Sequence, residues 1–251
     1  MRIFARAKQL NWLNLLLIAL CLSACNACQA QQPEQKASGE YSTKVPDRDG
    51  IGKVYMGREI AGIMSAAGGA WLQRDTRPQE ENTSLAIASM ELRPNSVVAD
   101  IGAGNGYYTF RIAPNVPEGK VYAIDVQDAF LEALESRKKE LGLSQVEVVK
   151  GGSQSINLPD NSLDLAFMVD VYHELEYPKE MLQSIRRALK PDGKLVLMEY
   201  RAEDPKVQIK ELHKMSARQV TKELNANGFK LYKQKDVLPI QHFLMFEKAA
   251  E

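Results

Sequence analysis

The stretch that most restricts what this chain can become is Val97-Val98-Ala99-Asp100-Ile101, followed at once by Gly102-Ala103-Gly104-Asn105-Gly106. The first five residues, nearly all apolar, read as a buried strand. The glycines read as a tight loop, because positive φ and close backbone approach cost glycine least. Asp125 stands nineteen residues after Gly106, at the end of the next apolar run, 120–125. A strand, a glycine turn into a helix, and an acid at the tip of the following strand are placed to hold a ribose-bearing ligand. The dinucleotide register fails, since its third glycine falls on Tyr107 counted from Gly102 and on Thr109 counted from Gly104. There is no G-x-x-x-x-G-K-[ST] either, so the loop is not a P-loop.

Strand and helix patterns alternate from there on. Strands are predicted at 97–101, 120–125, 146–149, 163–170, 194–200, 230–238 and 242–247, and helices at 107–113, 128–141, 178–189 and 216–227. Such alternation demands a parallel sheet covered on both faces. The last two strands are joined by a short connection, which predicts an antiparallel pair. The expected fold is α/β, a Rossmann-like three-layer sandwich: a mostly parallel seven-stranded sheet with an antiparallel last strand, preceded by N-terminal helices. Residues 47–93 are expected to be that helical cap, with breaks at Gly68-Gly69 and Arg77-Pro78 and a cap at Thr83 or Ser84.

At this point the sequence resembles the class I S-adenosylmethionine-dependent methyltransferases. Residues 97–106 match the family's first motif and Asp125 its second. Leu158-Pro159-Asp160-Asn161-Ser162-Leu163-Asp164 matches the approach to its fourth strand, and Lys190-Pro191-Asp192-Gly193-Lys194-Leu195 the approach to its fifth. The resemblance covers roughly 94–248, with a likeness to the branch that includes quinone-biosynthesis methyltransferases, and makes 94–251 the methyltransferase domain. It implies S-adenosylmethionine as cofactor. Asp100 is then expected near the methionine ammonium group, directly or through water. Gly102, Gly104 and Gly106 are expected beneath the cofactor, with a Cβ on Gly104 pointing at it, and Asp125 on both ribose hydroxyls. Many relatives carry an acid after the third strand for the adenine amino group. This chain reads Gly151-Gly152-Ser153-Gln154 there, so Ser153 and Gln154 are carried over as neutral acceptors.

In open parallel sheets the site lies beyond the carboxyl ends of the strands. That puts Asp170-Val171-Tyr172-His173-Glu174 and Glu199-Tyr200-Arg201 at its rim, with Asp170 counted among the cofactor contacts. His173 is the candidate general base, because an imidazole titrates near neutrality. His213 and His242 are expected to be structural. No H-E-x-x-H begins at His173, since position 177 is Tyr177, and no metal is expected. The domain has no cysteine after Cys28, which excludes a thiol nucleophile or a thiolate metal site there. The acceptor is expected to be a small organic molecule, leaning lipophilic. A non-catalytic S-adenosyl-nucleoside binder is the alternative, and the glycine register argues against a nicotinamide-dependent oxidoreductase. The oligomeric state stays open.

The 251 residues carry 32 basic and 32 acidic side chains, which argues against nucleic acid as a partner. Arg2, Arg6 and Lys8 precede an apolar run over 13–22 that is too short to span a bilayer. This fits a signal peptide over 1–24. Leu22-Ser23-Ala24-Cys25 resembles the lipobox of bacterial lipoproteins, which makes Cys25 the lipidated residue. Asn26 in place of aspartate leans toward the outer membrane, so the expected location is periplasmic and lipid-anchored. Residues 25–46, rich in Gln, Ala, Ser, Pro and Lys, read as a flexible tether.

Overall fold

The computed structural model describes residues 40–250; the expected signal peptide, Cys25 and most of the tether lie outside the described residues. Three strands come first: β1 (Tyr41–Thr43), β2 (Gly50–Tyr55) and β3 (Arg58–Ala61). A 3-10 segment, Ala66–Gln73, leads to α1 (Arg77–Glu81) and α2 (Thr83–Ser89). Then follow β4 (Val97–Ile101), α3 (Thr109–Ile112), β5 (Lys120–Asp125), α4 (Asp128–Leu141), β6 (Val146–Lys150) and β7 (Leu163–Val169). The chain finishes with α5 (Pro178–Ala188), β8 (Leu189–Tyr200), α6 (Ala217–Ala226), β9 (Phe229–Lys235) and β10 (Gln241–Lys248).

The seven strands from β4 onward form one sheet in the order β6-β5-β4-β7-β8-β10-β9. Neighbours from β6 to β8 are parallel, and β10 runs antiparallel to both β8 and β9. The expected sheet is therefore present, with its antiparallel strand inserted between β8 and β9. Side chains along the central strands alternate between two buried layers, as a period of two requires. Ala166, Met168, Leu195, Leu197, Leu244 and Phe246 pack on α5 and α6 through Met181, Leu182, Ile185, Val220 and Leu224. Leu165, Phe167, Val196, Met198, Phe243 and Met245 face the other way, toward Ala86, Met90, Ile112 and Leu134. α5 has Pro178 at its first position, where its fixed φ suits the start of a helix, while Glu180 in its first turn and Arg186 and Arg187 in its last complement the helix dipole. Gly142, at φ +65°, ends α4 in the left-handed conformation.

The region before the sheet departs from expectation. Residues 41–43 are not tether but strand, paired with β2. The first part of the expected helical cap is a β-hairpin. Met56 and Gly57 both have positive φ, 48° and 99°, as the tight turn of a two-residue hairpin requires. Only α1 and α2 are α-helical within 47–93, and Asn82 rather than Thr83 or Ser84 caps α2, accepting from the Leu85 N–H at 3.4 Å. The buried face of α2 is Ala86 and Ser89, and Leu85 is left exposed.

Candidate active site

The order of strands reverses between β4 and β7. The chain runs outward from β4 through β5 to β6, then returns to the other side of β4. Ligands of open α/β sheets bind where this happens, beyond the carboxyl ends of the strands. A cavity of about 1330 Å³ lies there. Gly102 and Gly104 after β4, Asp125 after β5, and Gly151, Gly152 and Ser153 after β6 line one side. Asp170 and His173 after β7 and Tyr200 at the end of β8 line the other. The N-terminal segment crosses it: Gln127 Oε1 accepts from the Ala66 N–H at 2.9 Å and Gln127 Nε2 donates to the Met64 carbonyl at 3.0 Å.

Asp125 sits on the cavity wall, 6% exposed. Its Oδ2 accepts from the Gly104 N–H and its Oδ1 from the Gln127 N–H, both at 2.9 Å. Each oxygen keeps a lone pair for a hydroxyl donor. Burial pushes the carboxyl above its ordinary range, and the backbone N–H groups of Gln127, Gly104 and Val126 hold that shift back. A methyl group added to Gly102 would meet Val171 at 2.6 Å, and one added to Gly104 would meet the tip of Leu72 at 2.8 Å. The Cβ direction of Gly104 thus faces the crossing N-terminal segment, where a contact with the cofactor itself was expected. Its φ of +55° calls for glycine in any case.

Three expected residues are not brought to the cavity wall. Gly106 would press a Cβ into Phe110 and Leu134 of the core, at 2.3 and 2.8 Å. Asp100 lies behind the loop, 3% exposed, and its Oδ2 accepts from the Thr109 hydroxyl at 2.6 Å. Burial pushes its carboxyl up to about 7, against the hydrogen bonds from Thr109. Gln154 is exposed and outside the lining, whereas Ser153 lines the cavity.

On the other side, Asp170 adopts φ +54°, which turns its side chain toward β10 and the cavity. Its Oδ2 accepts from Gln241 Nε2 at 2.7 Å, and its Oδ1 is buried with no partner among the described residues. Burial, then the nearby Glu81 and Glu199 carboxylates, push Asp170 well above the usual carboxylate range. His173 is 2% exposed, with Nδ1 2.6 Å from Glu199 Oε2 and Nε2 3.2 Å from His213 Nδ1. His213, expected to be structural, also lines the cavity. Glu199 and His213 lie 26 and 40 residues from His173, so no local pattern announced the cluster.

The residues fit S-adenosylmethionine. It has no pyrophosphate to cradle, and this loop lacks the third glycine that a pyrophosphate turn would need. The carboxylate on the wall can take two vicinal hydroxyls, and the buried Asp170 Oδ1 can take a donor.

Known proteins agree. Residues 99–197 match a family described as a methyltransferase domain. An uncharacterised methyltransferase, YcgJ, of Bacillus subtilis (strain 168) is 30% identical over 126 residues, 50% of this chain and 49% of its own. The ubiquinone/menaquinone biosynthesis C-methyltransferase UbiE of Ectopseudomonas mendocina (strain ymp) is 30% identical over 111 residues, 43% of each chain. This chain thus spans about half the length of the curated relatives it matches. A crystal structure of a SAM-dependent methyltransferase from Aquifex aeolicus superposes with a TM-score of 0.69 at 26% identity, covering 73% of this chain and 98% of that one. Residues 99–197 thus carry a methyltransferase domain, on a fold similar to that of a SAM-dependent methyltransferase, with S-adenosylmethionine as its cofactor.

Proposed function

We propose that the protein transfers a methyl group from S-adenosylmethionine to a small, lipophilic organic acceptor. The observation that carries this reading is one cavity with Asp125 and the glycine loop on one side of β4, and Asp170 and His173, the latter backed by the buried Glu199, on the other. Bound there, the cofactor supplies an electrophilic methyl group on a sulfonium. The chain's own residues hold the partners in line and excluded from water, which can lower the barrier by several kcal/mol. Asp125 would hold the ribose hydroxyls, Gly102 would let the loop backbone pass close, and Ser153 would accept from the adenine amino group. Asp170 Oδ1 takes a donor between the two halves. His173, whose Nδ1 is engaged by Glu199, turns the lone pair of Nε2 to the acceptor side, where the acceptor gives up its proton.

Ile51, Ile63 and Trp71 line the cavity and are 43%, 57% and 48% exposed. An apolar mouth of this kind suits an apolar acceptor. It also suits a protein held at a membrane. On the strength of Leu22-Ser23-Ala24-Cys25, we read the chain as an exported lipoprotein anchored through Cys25, in the periplasm and at the outer membrane. Mass spectrometry of the native N-terminus is expected to find a chain starting at an acylated Cys25. An unmodified Cys25 or another start removes the anchor from the proposal.

Calorimetry with S-adenosylmethionine, S-adenosylhomocysteine and NAD tests the cofactor. The first two bind and NAD does not. Asp125→Ala is expected to weaken S-adenosylhomocysteine by about 1.5–3 kcal/mol, the range for hydrogen bonds to a charged partner. Unchanged affinity in a folded variant would put the nucleoside elsewhere. Binding without transfer to any quinol, phenol or thiol acceptor would leave a non-catalytic nucleoside-binding lipoprotein instead.

A further inference from the structure

Glu199 grips the loop after β7 twice. Its Oε1 accepts from the Tyr172 N–H at 2.8 Å, and its Oε2 lies 2.6 Å from His173 Nδ1. With the proton of His173 on Nδ1, the lone pair of its Nε2 points away from Glu199. Two further ligand atoms meet it there. His213 Nδ1, from the 3-10 turn Glu211–His213, stands 3.2 Å away. Glu174 Oε1 lies 3.5 Å from His213 Nδ1 and 3.8 Å from His173 Nε2. The two imidazoles meet nearly edge to face, at 72°, with ring centres 5.0 Å apart.

We propose that His173 Nε2, His213 Nδ1 and Glu174 Oε1 bind one divalent transition-metal ion, Zn2+ by preference, on the acceptor side of the cavity. Zinc takes nitrogen and carboxylate oxygen at roughly 2.0–2.2 Å, so two ligands at a tetrahedral angle stand about 3.3 Å apart. Two edges of the observed triangle are already near that length. The third closes by about half an ångström if Glu174 turns about its side-chain torsions. His-His-Glu with a fourth position open is the donor set of catalytic zinc. Glu199 then completes a carboxylate–histidine–metal line, which fixes the tautomer and strengthens the nitrogen as a donor. His173, Glu174 and His213 all line the cavity, so the open position faces the acceptor. With the Nε2 lone pair held by the ion, the metal replaces His173 as the means of deprotonation: an acceptor hydroxyl or thiol binding there releases its proton to water and presents an anion for methylation. Metal binding stands on the geometry alone; only this use of the ion rests on the function proposed above.

The rival occupant of the triangle is a proton, donated by His213 Nδ1 to His173 Nε2, and the experiment separates the two. Cys21, Cys25 and Cys28 would compete for zinc, so the full chain carries Ser at all three. After metal stripping, calorimetric titration with zinc chloride is expected to show one ion per chain. His213→Ala and Glu174→Gln should each weaken it, His213→Ala by more than the roughly 10–100-fold expected of Glu199→Gln, which removes only an outer partner. His242→Ala should leave it unchanged, because His242 is engaged elsewhere, 2.9 Å from Glu203. Cobalt(II) should give visible absorption that both ligand variants lose. No saturable binding, affinity unchanged in folded His213→Ala and Glu174→Gln, or equally tight magnesium would overturn the proposal, since magnesium disfavours imidazole. S-adenosylhomocysteine is titrated into the same samples. Zinc without nucleoside sinks the methyl-transfer reading alone, and nucleoside without zinc sinks this inference alone.

Discussion

Arg58→Ala is expected to destabilise the protein by about 3–5 kcal/mol, because it strands a buried carboxylate. Arg58 opens β3, immediately after the Met56-Gly57 turn. Its Nε donates to Glu223 Oε1 at 2.7 Å and its Nη2 to Oε2 at 3.1 Å, a two-pronged pair. The Glu223 side chain is fully buried in α6 and also accepts from the Tyr172 hydroxyl at 2.8 Å and from Gln219 at 2.8 Å. Arg58 Nη1 donates to the His173 carbonyl at 3.1 Å. The hairpin therefore reaches through one guanidinium to the loop that carries His173. Losing it leaves Glu223 without its cation and the His173 carbonyl without that donor. For a domain of this size the melting temperature should fall by about 6–20 °C. Replacing both members, Arg58→Met with Glu223→Leu, should recover part of the loss, since no unpaired charge then remains. The Tyr172 hydroxyl, deprived of its acceptor, sets the part not recovered. Urea denaturation of wild type and the two variants measures this. A single variant within 1 kcal/mol of wild type would show that water solvates Glu223 and that the pair does not hold the hairpin to the domain.

The role of Arg58 marks a boundary of what sequence patterns can carry. The sheet was legible from 97 onward because its central strands are buried on both faces and therefore run largely apolar, while its helices repeat every three to four residues. Glycines with positive φ and an acid at a strand tip are likewise local signals. Within the hairpin, Ile51, Lys53 and Tyr55 alternate too briefly to stand out, and the Met56-Gly57 turn is a single dipeptide. Its stability comes from partners far along the chain: Glu223, 165 residues from Arg58, and Glu180, which accepts from the Tyr41 hydroxyl, 139 residues on. The acceptor side divides the same way. His173 was legible from its place after a central strand. His213 and Glu199 gain meaning only when the turn Glu211–His213 and the end of β8 are folded against it. Asp100 shows the converse. Its motif position suggested a place near the methionine ammonium group, directly or through water, but a residue on β4 alternates between faces with its neighbours. Asp100 is turned to the side where α3 supplies Thr109, away from the cavity wall.

That placement sets the second large effect. The Asp100 carboxyl is fully buried and pushed up to about 7, chiefly by desolvation, with Asp125 adding to the shift and Thr109 and Arg77 opposing it. Unfolded, it titrates near 3.8. The folded state thus holds a proton that the unfolded state gives up. The stabilising contribution is fully present below about pH 4 and is lost as pH rises through about 7. At most it amounts to about 4 kcal/mol, from roughly three units at 1.36 kcal/mol each. Asp125 and Asp170 are also raised, so the wild-type slope in this window has several sources. Asp100→Asn isolates one of them, because the amide does not titrate and its oxygen can still accept from Thr109. Its unfolding free energy should fall less steeply than that of wild type between pH 4 and 7, and at pH 8 the variant should be the more stable protein. Urea denaturation of both proteins across that range supplies the comparison, and parallel profiles would mean that Asp100 is solvated and ionised throughout. The same pair of proteins tests the contact with the methionine ammonium. A carboxylate touching that cation would make binding of S-adenosylhomocysteine, which keeps the ammonium, tighten above pH 7 in wild type and weaken more than tenfold in Asp100→Asn. With Asp100 behind the loop, the variant keeps its affinity to within about threefold, less than 1 kcal/mol and below the range for one hydrogen bond to a charged group.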